Sequence, residues 1–129
     1  MRLARTALLV AILSSAAPAL AQEPMLECIA RYQTTTRVQD DFPGMLGAFK
    51  DRPCKHATYL HGVGSRAPGG GLARLEFAER PKHGKISAKS ASTFVFLPDK
   101  GYTGADTMVI RYHFKGGKTA SVRFAITIS

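Results

Sequence analysis

The chain has 129 residues, is 45% hydrophobic, and sets 18 basic against nine acidic residues for a net charge of +9. That length suits one domain with a genuine core and leaves no room for a second. Beyond the first residues every apolar stretch is too short or too charged to cross a bilayer, which takes about 20 apolar residues, so no transmembrane segment is expected there.

The amino terminus reads as a signal peptide over residues 1–21. Arg2 and Arg5 supply the positive start, residues 7–17 the short apolar core, and Ala19-Leu20-Ala21 a small-x-small cleavage site behind Pro18. Gln22, not a cysteine, follows the site, so no lipid anchor is expected. The domain is then residues 22–129, delivered to the periplasm or the medium. The leader holds two of the 18 basic residues and none of the nine acids, so the mature chain carries +7. Export sets nucleic acid aside as a partner. It points the charge toward an anionic envelope polymer, a lipid headgroup or an acidic protein. Cys28 and Cys54 are the two cysteines. An even count in an oxidising compartment predicts a disulfide between them.

Residues 22–71 are irregular in pattern. Residues 25–32 read as a first strand, with Leu26, Cys28 and Ala30 on one face and Glu27 and Arg31 on the other. Thr34, Thr35 and Thr36 could extend it. Phe42, Met45, Leu46 and Phe49 fall at helical spacing, but Pro43, Gly44 and Gly47 oppose a helix, so a turn or hydrophobic loop under the disulfide is expected. Residues 57–60 read as another strand. Five glycines then crowd residues 62–71; no Lys-Ser or Lys-Thr follows, so this is a connection and not a phosphate loop.

From residue 72 the chain becomes regular. Ala73, Leu75 and Phe77 alternate with Arg74 and Glu76 before a turn at Pro81-Lys82-His83-Gly84. Ile86 sits on a short strand, and Phe94 and Phe96 share a face of the next, which Pro98-Asp99-Lys100-Gly101 ends. Met108, Ile110 and Tyr112 alternate with Val109 and Arg111, and Lys115-Gly116-Gly117-Lys118 marks a hairpin. In the last strand Ala120, Val122, Phe124, Ile126 and Ile128 face one way and Ser121, Arg123, Ala125 and Thr127 the other. Short alternating strands between turns of this kind predict an all-β sandwich.

The ordered combination of Pro81, His83 and Gly84, then Phe94, Phe96 and Pro98, then Gly101, Tyr102, Gly104 and Asp106 resembles bacterial Ig-like and cadherin-like repeat domains. The match covers roughly residues 72–129. It implies an Ig-like or cadherin-like sandwich in which the glycines turn the chain, Tyr102 packs over one end and Asp106 caps or ties a loop. Family members stand in tandem in surface and adhesion proteins, some of them binding calcium. This chain departs from them with one copy, and Asp40 with Asp41 gives too few oxygen ligands for calcium.

Catalytic signatures are missing: no Gly-x-Ser-x-Gly, no His-Glu-x-x-His, and no cysteine–histidine pairing outside the expected bridge. No catalytic residue and no cofactor is therefore expected. His56 and His61, five apart, are the weak candidates for a metal site, with Cys54 claimed by the disulfide. Arg80, Lys82, Lys85 and Lys89 could form a basic rim around the turn at His83, able to hold an anionic glycan, a lipid headgroup or an acidic protein. The expected function is a non-catalytic exported binding or structural module. The alternatives are a small secreted hydrolase or inhibitor-like effector, and a periplasmic metal-binding protein.

Overall fold

A computed structural model describes residues 24–32, 42–58 and 71–129. The leader 1–21, Thr34 to Thr36, Asp40 and Asp41, the end of the expected strand at Tyr59 and Leu60, His61 and glycine-rich residues 62–70 lie outside them.

Among the described residues there are nine strands: β1 (Leu26–Glu27), β2 (Ile29–Tyr32), β3 (Phe42–Ala48), β4 (Cys54–Ala57), β5 (Leu72–Glu79), β6 (Gly84–Ala88), β7 (Thr93–Pro98), β8 (Gly104–Phe114) and β9 (Thr119–Ile128). They form two sheets, one ordered β1-β4-β7-β6 and the other β2-β3-β9-β8-β5. β1 runs parallel to β4, β3 runs parallel to β9, and the remaining pairs are antiparallel. The described residues are all-β, with both sheets contributing to one core. Phe94 and Phe96 come from the smaller sheet, and Met108, Ile110, Tyr112, Val122, Phe124 and Ile126 from the larger. Phe94 meets Phe124 edge-on at 6.0 Å between ring centroids, a geometry suited to the ring quadrupoles. The Thr58 and Tyr112 hydroxyls bond each other at 2.7 Å, so this polar pair enters the core satisfied.

β9 has the expected alternation: Ala120, Val122, Phe124, Ile126 and Ile128 are all buried. Elsewhere the structure corrects the expectations. The segment expected to be a turn or loop is β3, an interior strand with Phe42, Leu46 and Ala48 buried and Pro43 and Met45 exposed. Its period is 2, and the apparent helical spacing came from counting Met45, which faces out, with the core residues. Gly44 allows the close approach to β9, because a Cβ there would sit 2.9 Å from Val122 and 3.0 Å from Phe124. Pro43 lies one residue beyond the β2–β3 pairing, which ends at Tyr32↔Gly44. Its missing N–H therefore costs that ladder nothing.

The first expected strand is broken at Cys28. β1 belongs to the smaller sheet and β2 to the larger, and the Cys28 N–H donates to Lys55 O at 2.8 Å between them. Leu26, Cys28 and Ala30 are nonetheless more buried than Glu27 and Arg31, so the side-chain alternation survives the change of sheet. β4 begins at Cys54, three residues before the expected start. In β5, Leu72 is buried, Ala73 is exposed, and Leu75 and Phe77 are only half-buried. Register shifts at Leu72/Arg74 and Phe77/Glu79 interrupt the alternation there.

Cys28 and Cys54 form the expected disulfide, with Cα atoms 5.0 Å apart. Cys54 is fully buried. The bridge ties the point where the chain changes sheets to β4.

Candidate cationic groove on the smaller sheet

The turn between β5 and β6 is held by the start of β8 and the loop that precedes it. The Asp106 carboxylate accepts the Lys82 N–H at 3.2 Å and the His83 N–H at 2.7 Å, and also the Thr107 N–H at 2.8 Å. The His83 ring stacks on Tyr102, 4.0 Å between centroids and 4° from parallel, and Tyr102 OH donates to Ala105 O at 2.7 Å. Gly101 and Gly104 take φ values of 79° and 130°, which side-chain-bearing residues rarely adopt. Asp51, at φ 58°, accepts the Gly101 N–H at 2.6 Å and links this end to the β3–β4 turn. These contacts fix where β6 starts and where its basic neighbours stand.

On β6 and β7 inward residues alternate with outward ones. Ile86, Phe94 and Phe96 are buried, whereas Lys85, Ser87, Val95 and Leu97 lie on the outer face. That face carries an open groove of about 580 Å³, lined by Arg80 and Lys85, by Val95 and Leu97 as an aliphatic floor, and by Pro53 and Pro81 at one end. No carboxylate is among its lining residues. Arg80 is fixed there by donating from Nη1 to Ile86 O at 3.2 Å, with its guanidinium carbon 5.2 Å from the Phe77 ring centre. Across the β4–β7 pair Lys55, exposed, stands opposite Val95.

The four rim residues are thus distributed as follows. Arg80 and Lys85 line the groove, Lys82 is exposed on the Asp106-held turn, and Lys89 lies at the far end of β6. Lys85 and Lys89 are separated by about 13 Å at the usual strand rise. Lys85 and Lys89 are thus spread along β6, with Arg80 held at Ile86 O and Lys82 on the turn at His83. The aliphatic floor was not singled out from the sequence. Its signal is the alternation in β7 itself, since residues between Phe94, Phe96 and Pro98 must face outward.

His56 faces inward, its ring 5.5 Å from Phe94 in an edge-on arrangement. Burial lowers its pKa below the ordinary 6.5, and the Glu27 charge partly opposes that shift. Among the described residues no three histidine, cysteine, aspartate or glutamate side chains converge in a way that could hold a metal ion. Cys54 is consumed by the disulfide. On the larger sheet, His113 Nε2 lies 2.6 Å from Glu76 Oε2, with Arg111 at 3.6 Å. Glu76 is held below its ordinary pKa chiefly by the hydrogen bond from His113; burial is the next largest influence and opposes it, while Arg111, His113 and Arg74 as nearby charges lower it further. No helix among the described residues is long and apolar enough to cross a membrane.

No protein-family model matches the chain, and no curated protein matches it. Among solved structures it is similar to an endo-fucoidan hydrolase from glycoside hydrolase family 107, at 8% identity and a TM-score of 0.43. The alignment covers 70% of this chain and 13% of that one.

Proposed function

We propose that this chain is an exported, non-catalytic binding module of Ig-like type whose outer face on the smaller sheet holds an anionic envelope component or an acidic protein. The strand order supports the Ig-like reading. β4-β7-β6 and β5-β8-β9 run in the sequence of the B-E-D and C-F-G strands of Ig domains. The ties from Asp106 and Tyr102 to the His83 turn are compatible with the roles the family resemblance implies and support that reading. Export is supported by the leader pattern and by a disulfide, which persists in oxidising compartments.

The observation that carries the binding reading is the groove in which Arg80 and Lys85 flank Val95 and Leu97 with no carboxylate in its lining. An anion entering it meets cations on one side and apolar surface below, and no repulsion from the walls. Retention on a heparin matrix and on vesicles containing anionic phospholipid tests this. Binding to at least one at low salt is expected, falling steeply with added salt because exposed charges are screened. Lys82→Glu with Lys85→Glu should abolish retention at an unchanged unfolding midpoint. Undiminished retention in that variant would sink the site.

A further inference from the structure

Among the described residues β6 is the outermost strand of its sheet, and no described strand pairs with the side of its backbone away from β7. The hydrogen bonds at its ends show which groups are free. The Asp99 N–H donates to His83 O at 2.9 Å and the Lys89 N–H to Thr93 O at 2.8 Å. In an antiparallel pair alternate residues face the partner, so 83, 85, 87 and 89 turn their backbone groups toward β7. Gly84, Ile86 and Ala88 turn theirs outward. Ile86 O fits this assignment, since it accepts from the exposed side chain of Arg80 at 3.2 Å.

The edge is also uniformly charged. Residues 80–98 include Arg80, Lys82, Lys85 and Lys89 and no aspartate or glutamate. Like charges along an edge strand repel a second copy of the same edge. The same charges favour an acidic strand. Their spread along the strand suits an extended anion better than a compact headgroup, which would reach one or two of them. Beside the edge lies the aliphatic surface of Val95 and Leu97, the latter 42% exposed. No aromatic side chain is among the large exposed hydrophobics of the described residues, so this surface offers aliphatic contact and not a flat ring for a sugar.

We propose that β6 is a docking edge for an acidic, extended segment of a partner protein, which adds a strand beside Gly84, Ile86 and Ala88. Main-chain hydrogen bonds hold the segment, and alternate side chains give the specificity. Its acidic residues meet Lys85, Lys89 and Arg80, with Arg80 exchanging Ile86 O for a peptide carboxylate. Its alternate, aliphatic residues turn to the opposite face, the side on which Ile86 lies. This deepens the anionic-face reading and rests on it.

The test uses the full chain, isotopically labelled, with an eight-residue peptide alternating glutamate and valine as probe. Saturable binding that weakens with salt is expected, with new hydrogen-exchange protection at the Ile86 and Ala88 N–H groups. Methylating alternate peptide nitrogens should abolish it, and Lys85→Glu with Lys89→Glu should weaken it by about tenfold or more. Lys85→Gln with Lys89→Gln, which introduces no repulsion, should weaken it by a smaller factor in the same direction. Peptide binding without protection at Ile86 and Ala88, or indifferent to salt, would overturn the proposal. So would anionic vesicles or heparin binding through Lys85 and Lys89 while the peptide does not, an outcome that leaves the anionic face standing. If none of the three binds, both readings fall.

Discussion

Three backbone N–H groups depend on the Asp106 carboxylate, two of them across the loop in the β5–β6 turn. Asp106 is itself only 8% exposed, so alanine would leave donors with restricted access to water. A buried donor without its partner costs about 1–3 kcal/mol. Asp106→Ala should therefore lower the unfolding free energy by about that much in urea titration, and loosen the turn that carries Lys82. His56 sets a pH dependence. Its folded pKa lies below 6.5, so the unfolded chain takes up the proton first as pH falls. Stability is full above 6.5 and declines below it, until the folded form also protonates. Melting temperatures between pH 7.5 and 5 should fall in the parent chain and fall less in His56→Gln. Glu76 works in a separate window. Its depressed pKa favours the fold above the ordinary 4.5, and that contribution fades as pH drops through the folded value. Both roles needed the structure to be seen, because a histidine between Lys55 and Ala57 carries no sign of which way it faces.

At the scale of elements, the strands divide by how much of their environment is local. β7, β8 and β9 are legible because each has one face in the core, so Phe94 and Phe96, Met108 and Ile110, and Val122 and Phe124 recur at every second position. β3 hides its period because its core face is filled partly by Gly44 and Ala48, and at Gly44 the neighbouring Val122 and Phe124 leave no room for a side chain. A strand whose inward positions are small does not announce its period. β5 was misread because bulges shift its phase. The break at Cys28 was illegible for another reason: alternation says which side chains turn inward, and not which sheet holds the backbone. The disulfide fastens that break. Cys28→Ala with Cys54→Ala frees a 26-residue separation, for which chain entropy predicts a loss of about 3–4 kcal/mol. Denaturant midpoints of the two chains measure it, and thiol titration of the native parent should find no free cysteine.

For the whole molecule, the charge and the leader make one argument. If the chain is exported as proposed, the expected mature charge of +7 would meet anionic polymers, lipids and acidic proteins rather than nucleic acid. Amino-terminal sequencing of the protein recovered from an exporting bacterium should begin at Gln22. An intact Met1 on protein retained in the cytosol would remove the premise. The basic rim was legible as four basic residues near one turn. The structure brings Arg80 and Lys85 together beside an aliphatic floor and leaves Lys82 on the turn and Lys89 beyond the far end of β6.

What the amino-acid order determined by itself is local: the β character of the carboxyl-terminal half, its turns, and the two cysteines available to pair. These follow from period, from glycine and proline, and from counting, and none requires a distant partner. Only the tertiary structure decided that β3 lies parallel to β9, that the chain changes sheets at Cys28, and that Arg80 and Lys85 stand over Val95 and Leu97. The physical reason is that strand pairing joins residues far apart in the chain, and the fit between two surfaces is a property of neither alone.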